Sequence, residues 1–523
     1  MILATADQMR AADRATIDRI GLPGIVLMEN AAQGAVRVLW EAAPGLERLS
    51  LAALCGRGNN GGDGLAMARI LVNRGVACTA YLFCRGADLT GDAAANLAVA
   101  QACGVEVVEL PDEAACDRHQ AALAGHDIYL DALLGTGLNA PVKGRIAQAI
   151  ELINNLGRPV LAVDIPSGLS AQTGQPLGAA VRATLTATFG LVKLGLALDP
   201  GNHVGQLSLV DIGIPPAVVE DLGCQAFLPD LATVADLLPA RPAGAHKGSF
   251  GHLLVVGGSL GKSGAPCLAA LGGLRAGAGL VTAALPAGLN LVAEAKLTAA
   301  MSEPLPQHSE GGLSLAGLPV LIDLCAQRQA LVLGPGLGGH PESRDLARRL
   351  LAVCQTPAVI DADGLNALAE SPEPAAIASP SAVITPHPGE AARLLGTDTA
   401  GIIADRPAAA RALAAQLGAV AVLKGARTLV AAPDGQLWVN PTGNPLLASG
   451  GSGDVLAGVI GGLLAQGAPA LAAAIAGVYV HGLAADLASA DFGARGLMAE
   501  ELIDYLPAAF ARLEMPPEDG EGE

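Results

Sequence analysis

LCGRGNNGGDGLAMARIL, residues 54–71, leaves an apolar run, turns through glycines at 56, 58, 61, 62 and 64, and enters a helical pattern without a pause. Glycine lets bare backbone N–H groups close on phosphate oxygens, and the helix that follows adds the positive end of its dipole. The strand-to-helix context is the one a phosphate loop requires, but although Gly56, Gly58 and Gly61 imitate the spacing G-x-G-x-x-G, the loop is not that dinucleotide motif. The paired Asn59 and Asn60 and the nearby Asp63 add side-chain amides and a carboxylate that a plain tight turn does not need. Outward from this loop, short apolar runs alternate with helical patterns from Leu49 to Asp211: LSLAALC, ACTAYLF, VEVVEL, DIYLDALL, PVLAVDIP, TLTATFG and QLSLVDIG. Strands separated by amphipathic helices predict βαβ units in a parallel, doubly wound sheet, with ligands at the strand C-termini. Asp131 and Asp164 end two of these runs. With Asn60 they predict a cluster of hard oxygen donors, suited to an alkali or alkaline-earth cation or to proton transfer at a bound substrate.

A second cradle lies far downstream. In GNPLLASGGSGDVLAGVIGGLL, residues 443–464, Gly450, Gly451 and Gly453 open a helix and Asp454 sits in its first turn. Backbone N–H groups there form an anion hole for a transferring phosphoryl group, with Asp454 placed to take a proton from an attacking hydroxyl. Between the two cradles the strand–helix alternation fails from Pro215 to Lys247, which marks a junction. A second α/β series follows, through HLLVVGG, LVTAAL, ALVLGPG, PAVIDAD, AVITPHP, AVAVLKG and TLVAAP. The reading is therefore two domains, 1–218 and 247–515, joined by 219–246, with an acidic tail at 516–523 that has nothing to bury. GGSLGKSG invites a Walker A reading, but the first glycine of that motif would fall on Val256, so Lys262 is read as a solvated loop charge.

Composition narrows the classes of function. A chain of 523 residues with 51% apolar residues has material for more than one core. A net charge of −18 disfavours nucleic acid or anionic lipid as partner, because neutralising phosphates requires clustered Lys and Arg. The nine cysteines are scattered, with no metal-ligand spacing, and read as reduced thiols of a cytoplasmic protein. Thr5 to Arg19 reads as a capped amphipathic helix rather than a signal peptide, with Thr5 and Gln8 as a capping box. Leu471 to Leu487, interrupted by His481 and Asp486, reads as a buried helix and not a membrane span.

The set LMENA (27–31), GNNGGDG, LDALLGTGL and DIPSGL, in this order, resembles the NAD(P)H-hydrate epimerases over about the first 215 residues. That resemblance implies a Rossmann-like domain. The hydrated dinucleotide would be bound by Asn59, Asn60, Gly61, Gly62 and Asp63, by Gly135, Thr136, Gly137, Leu138, Asn139, Ala140 and Pro141, and by Asp164. A K⁺ ion would sit on Asn60, Asp131 and Ser167. It implies epimerisation at C6 of the hydrated nicotinamide, with Asp164 nominated as acid/base.

The second cradle, with KGART (424–428), resembles the ribokinase-like superfamily, and GGSLGKSGAP, AGAGLVT, LGPGLG, DADGLNAL, TPHPGE and NPTGNP resemble the NAD(P)H-hydrate dehydratases within it. The resemblance implies that Lys424, Gly425, Ala426, Arg427 and Thr428 hold ADP with Mg²⁺. Asn444, Pro445, Leu446, Leu447, Ala448, Ser449, Gly450, Gly451, Ser452 and Gly453 would complete that nucleotide site. Ala265, Gly336, His387 and the catalytic Asp454 would contact the hydrate. Leu446 departs from the glycine usual after Asn-Pro, and Ser449 and Ser452 replace threonines. The expected activity is repair of hydrated NADH and NADPH, the S epimer being dehydrated as ADP gives AMP and phosphate, by a homo-oligomer acting on small molecules alone. The alternative is a vitamin-precursor kinase fused to a nucleotide-binding module, since the superfamily fold permits either.

Overall fold

The computed structural model describes residues 1–370 and 377–515; the acidic tail expected at 516–523 lies outside them. The chain divides into two compact units, Ile2–Ala226 and Phe227–Glu523.

In the first unit, seven parallel strands lie in the order Glu106–Glu109, Ala77–Leu82, Ser50–Cys55, Ile128–Ala132, Val160–Val163, Leu185–Phe189 and Gln206–Val210. The strand order reverses between Ser50–Cys55 and Ile128–Ala132, which opens a crevice at their C-terminal ends. Both faces of the sheet are covered. In Ser50–Cys55, Leu51, Ala53 and Cys55 pack into one apolar cluster while Ala52 and Leu54 pack into another, which is why the run is continuously apolar instead of alternating. The N-terminal helix Ala6–Arg14 carries the Thr5–Gln8 capping box and then widens into a π-helical turn, Ala15–Ile20. Strand Val160–Val163 stops one residue before Asp164, whose φ of 66° puts it in the left-handed region.

The stretch read as the junction contains the helices Pro216–Asp221 and Leu231–Ala235 and the two-residue strand Ala226–Phe227. They are too short to show a period in sequence.

In the second unit, parallel strands run in the order Met301–Leu305, Leu280–Pro286, His252–Val256, Ala330–Leu333, Ala358–Ile360, Ala382–Ile384 and Val420–Leu423, followed by antiparallel Leu429–Ala431 and Leu437–Val439. Two of these, Met301–Leu305 and Leu437–Val439, were not anticipated. The former is MSEPL, a polar sequence with a proline that only an edge position tolerates. Helices Gly264–Arg275 and Ser452–Ala465 pack at glycine contacts: a Cβ on Gly458 would lie 2.0 Å from the carbonyl oxygen of Ala269, and one on Gly272 2.6 Å from that of Val455. Ala470–Phe492 is long and apolar enough to cross a membrane, yet 72% of its most apolar stretch is buried inside the protein, as expected of a core helix.

Candidate functional site

The first cradle is built by close backbone approach. A Cβ on Gly56 would lie 1.9 Å from the carbonyl oxygen of Leu133, and one on Gly61 1.9 Å from that of Gly56, so the loop folds back on itself where side chains cannot fit. Helix Asn59–Asn73 starts inside the loop and buries Asn60, Gly61, Gly62 and Asp63.

Asn60, Asp131 and Ser167 come together. The fully buried Asp131 carboxylate accepts from the Ser167 backbone N–H at 2.7 Å and the Ser167 hydroxyl at 2.5 Å, and burial pushes its pKa up to about 6. Asn60 donates to the Leu134 carbonyl at 3.0 Å, while its own Oδ1 is sealed from solvent without a hydrogen-bond partner. An orphaned amide oxygen beside a carboxylate and a hydroxyl suits a hard monovalent cation. The 135–141 loop runs along this cluster, with a Gly135 Cβ placed 3.3 Å from Asn60 Cβ; Gly137, Asn139, Ala140 and Pro141 are exposed, and Thr136 and Leu138 are half-buried.

Asp164 takes different company from the expected donor cluster. Its Oδ1 accepts from the Lys193 ammonium, from the Phe189 backbone N–H at 3.1 Å and from the Thr188 hydroxyl at 3.4 Å. Lys193 is fully buried and spends its other protons on Thr188 Oγ1 (3.0 Å) and the Phe189 carbonyl (2.8 Å). Sequence reasoning missed Lys193. Its signal was a lone cation in the apolar run FGLVKLGLAL, where only a buried counter-charge makes lysine tolerable. Also missed was Asp13, delivered by the N-terminal helix; burial, then the Asp164 charge, raise it to about 6.

In the second unit Gly451, at φ 92°, caps helix Ser452–Ala465 and sets Asp454 in its first turn. Lys424 donates to Asp361 Oδ1 at 2.8 Å, lies 4.0 Å from Glu390, and is 3.5 Å from where a Gly453 Cβ would be. Asp361, itself buried, also accepts from Thr385 at 2.7 Å. Burial, followed by the charge of Asp361, raises Asp454 to about 7. Lys424 is raised although burial acts against it, because Asp361 and Glu390 favour the ammonium.

Gly425 (φ 145°) and Arg427 (φ 54°) shape the KGART loop, whose Ala426 and Arg427 carbonyls are held by Arg406; Thr428 closes it onto the Gly425 carbonyl at 2.9 Å. Asn444 donates to the Ala485 carbonyl and to Asp486, and accepts from the Leu446 backbone N–H at 3.0 Å. Leu446 is 4% exposed within the short turn Pro445–Leu447, so the residue replacing the usual glycine adds to the core and leaves the turn intact. Ser452 Oγ reaches the carbonyls of Leu447 and Ser449, tying Ala448, Ser449 and Gly450 to the helix start.

Ala265 and Gly336 meet: a Cβ on Gly336 would lie 3.1 Å from that of Ala265. His387 caps helix Pro388–Leu395 through the Gly389 N–H and lies 3.5 Å from Glu390; burial and then Lys424 lower its pKa. Lys262, read as solvated, is paired with Asp363 at 3.1 Å, though half its side chain is exposed. Asp361 and Glu390 were not singled out in sequence, because each sits in an ordinary strand-end or helix-cap setting until folding aims it at Lys424.

The family model for NAD(P)H-hydrate dehydratase matches residues 253–508, and that for the YjeF-related protein N-terminus matches 24–195. The chain is similar to the bifunctional NAD(P)H-hydrate repair enzyme Nnr of Moorella thermoacetica, 44% identical over 98% of this chain and 97% of that one. It is also similar to the proteins of the same name from Salinibacter ruber (40%, covering 97% and 96%) and Escherichia coli K12 (36%, covering 96% and 92%). Among solved structures, the ADP/ATP-dependent NAD(P)H-hydrate dehydratase of Bacillus subtilis, co-crystallised with ATP/Mg²⁺, is 34% identical over 54% of this chain and 97% of that one, with a TM-score of 0.48.

Proposed function

The chain belongs to the bifunctional NAD(P)H-hydrate repair enzymes, and on that premise we propose that Asp164 serves C6 epimerisation in its first half and Asp454 serves ADP-dependent dehydration in its second. The pairing has a stereochemical logic. A hydrate formed without an enzyme is a mixture of C6 epimers, and a surface complementary to one processes the other poorly.

The observation that carries the dehydratase assignment is Asp454 itself, set in the first helical turn after the Gly450–Gly451 bend and raised to about 7. A general base works best when its pKa lies near the working pH. Asp454 takes the proton of the C6 hydroxyl, and that oxygen forms a bond to the terminal phosphorus of ADP as the bridging P–O bond breaks and AMP leaves. The C6–O bond then breaks with the phosphate. The ring nitrogen lone pair assists, and loss of a C5 proton to the departing phosphate restores the C5=C6 bond of NADH or NADPH. The Lys424 ammonium, paired with Asp361 beside Gly453, supplies positive charge where the phosphoryl group passes.

Mg²⁺ on the phosphates would spread the transferring charge. Among the described residues no group of three His, Cys, Asp or Glu side chains is placed to hold a metal ion, so phosphate oxygens and water would supply most of its ligands, with one or two carboxylates. K⁺ in the first half would be held by the unpartnered Asn60 Oδ1 with Asp131 and Ser167, fixing the loops that carry the substrate residues.

The test is absorbance at 340 nm after the full chain, Mg²⁺ and ADP meet an epimeric mixture of NADH hydrate, repeated with ATP. Full recovery of NADH is expected with ADP. A stable phosphoester with no recovery would instead identify a small-molecule kinase.

A further inference from the structure

Asp164, Asp63 and Asp13 lie within electrostatic reach of one buried ammonium, Lys193, in the epimerase half, and their hydrogen bonding is unequal. Asp164 is answered by Lys193, Thr188 and the Phe189 N–H, all on Oδ1, and among the described residues no donor reaches Oδ2. Asp63 is 8% exposed and accepts no hydrogen bond from any described residue. Its oxygens are nonetheless not among the atoms sealed from solvent. Its position is fixed by its neighbours: a Cβ on Gly62 would lie 2.9 Å from Met28 Sδ, and one on Gly64 2.6 Å from Ala132 Cβ. A carboxylate buried this deeply without a donor is costly, whereas a carboxylic acid there is not. One carboxyl group left without a donor beside a second that is paired to an ammonium is an arrangement suited to an acid–base pair.

We propose that Asp63 is the proton donor of the epimerisation, working opposite the Lys193-paired Asp164. The inference rests on the epimerase reading of this half and deepens it. The Asp63 proton passes to the C6 hydroxyl oxygen as the C6–O bond breaks, the ring nitrogen lone pair forms C6=N1, and water is released. Water then adds to the opposite face of C6, the electron pair returns to nitrogen, and the proton it sheds goes to Asp164. Asp63 is left as carboxylate and Asp164 protonated, which is the state that runs the reverse epimerisation. One proton moving from Asp164 to Asp63 resets the site. Lys193 is the positioning residue that holds the Asp164 carboxyl through Oδ1.

The groups facing Asp63 agree with this division. Burial raises its pKa well above the carboxylate range, Asp164 and Asp13 raise it further, and Lys193 acts weakly the other way. Cys55, on the strand beneath, is held as a neutral thiol by its own burial.

The experiment follows exchange between the epimers of NADH hydrate by the full chain with no nucleotide present, against the uncatalysed rate. Wild type should exchange them, with kcat falling on the basic side of its pH optimum, the alkaline limb, as Asp63 loses its proton. Asp63→Asn should lower kcat by about 100-fold with a much smaller change in KM, and abolish that alkaline limb, while Asp63→Glu restores part of the rate. An unchanged kcat in Asp63→Asn, a rise in KM alone, or the same limb in the variant would overturn the proposal. Should Asp63→Asn not fold, a wild-type kcat that stays flat across alkaline pH overturns it equally. A wild-type chain that exchanges nothing would instead remove the epimerase reading itself.

Discussion

Asp454 shows how little distinguishes a catalytic carboxylate from an ordinary helix-start aspartate until its surroundings are known. The residue type is favoured in any first turn, and the glycines before it hint at something more. Its pKa of about 7 comes from burial and from Asp361, which arrives from another strand. The sign of the pH dependence follows. The base acts as carboxylate, so dehydration kcat/KM should be low below pH 6 and rise through about pH 7. Because the folded pKa lies above the ordinary aspartate value of 3.8, ionising Asp454 costs stability as pH rises between those values. Asp454→Asn should therefore lose dehydration by about 100-fold or more while melting higher than wild type at pH 8, a pairing that loss of fold cannot imitate. Normal dehydration in this variant would remove the base assignment. Lys193 and Asp13 mark the limit of reading residues singly, since nothing in their local sequence names Asp164 as partner.

At the scale of elements, the glycines of VLAGVIGG in helix Ser452–Ala465 do a different job from those of the loop before it. Gly458 and Gly462 let this helix lie directly on the backbone of Gly264–Arg275. Gly458→Ala places a methyl group 2.0 Å from a carbonyl oxygen that belongs to a second packed helix and cannot swing aside. The expected cost is about 3 kcal/mol, read as a lowered urea midpoint with unchanged slope. Because Asp454 lies one turn away on the same helix, dehydration should fall more than epimerisation. An Ala variant as stable as wild type would mean the helices are not packed as closely as described. Both glycine classes look identical in sequence. The strand–helix alternation was legible because buried parallel strands are continuously apolar, whereas Met301–Leu305 was not, being a polar edge strand.

For the whole molecule, the two aspartates proposed to serve the two reactions belong to different units, Asp164 in Ile2–Ala226 and Asp454 in Phe227–Glu523. Each can therefore be silenced alone. With ADP and mixed hydrates, Asp164→Asn should halt the fast recovery of 340 nm absorbance near the share of one epimer, leaving only a slow phase set by uncatalysed exchange. Full fast recovery would move epimerisation away from Asp164. The sequence alone determined the two α/β halves, their order and both glycine cradles, because apolar period and backbone freedom are local properties written at fixed spacing. It also carried the resemblance that names the chemistry, through motifs of contiguous residues. Only the tertiary structure decided which carboxyl groups are paired and which are not. Lys193 reaches Asp164 across 29 positions, Lys424 reaches Asp361 across 63, and Asp63 finds no donor among the described residues. Protonation states at a site depend on burial and on charges brought from distant strands, and neither exists until the chain has folded.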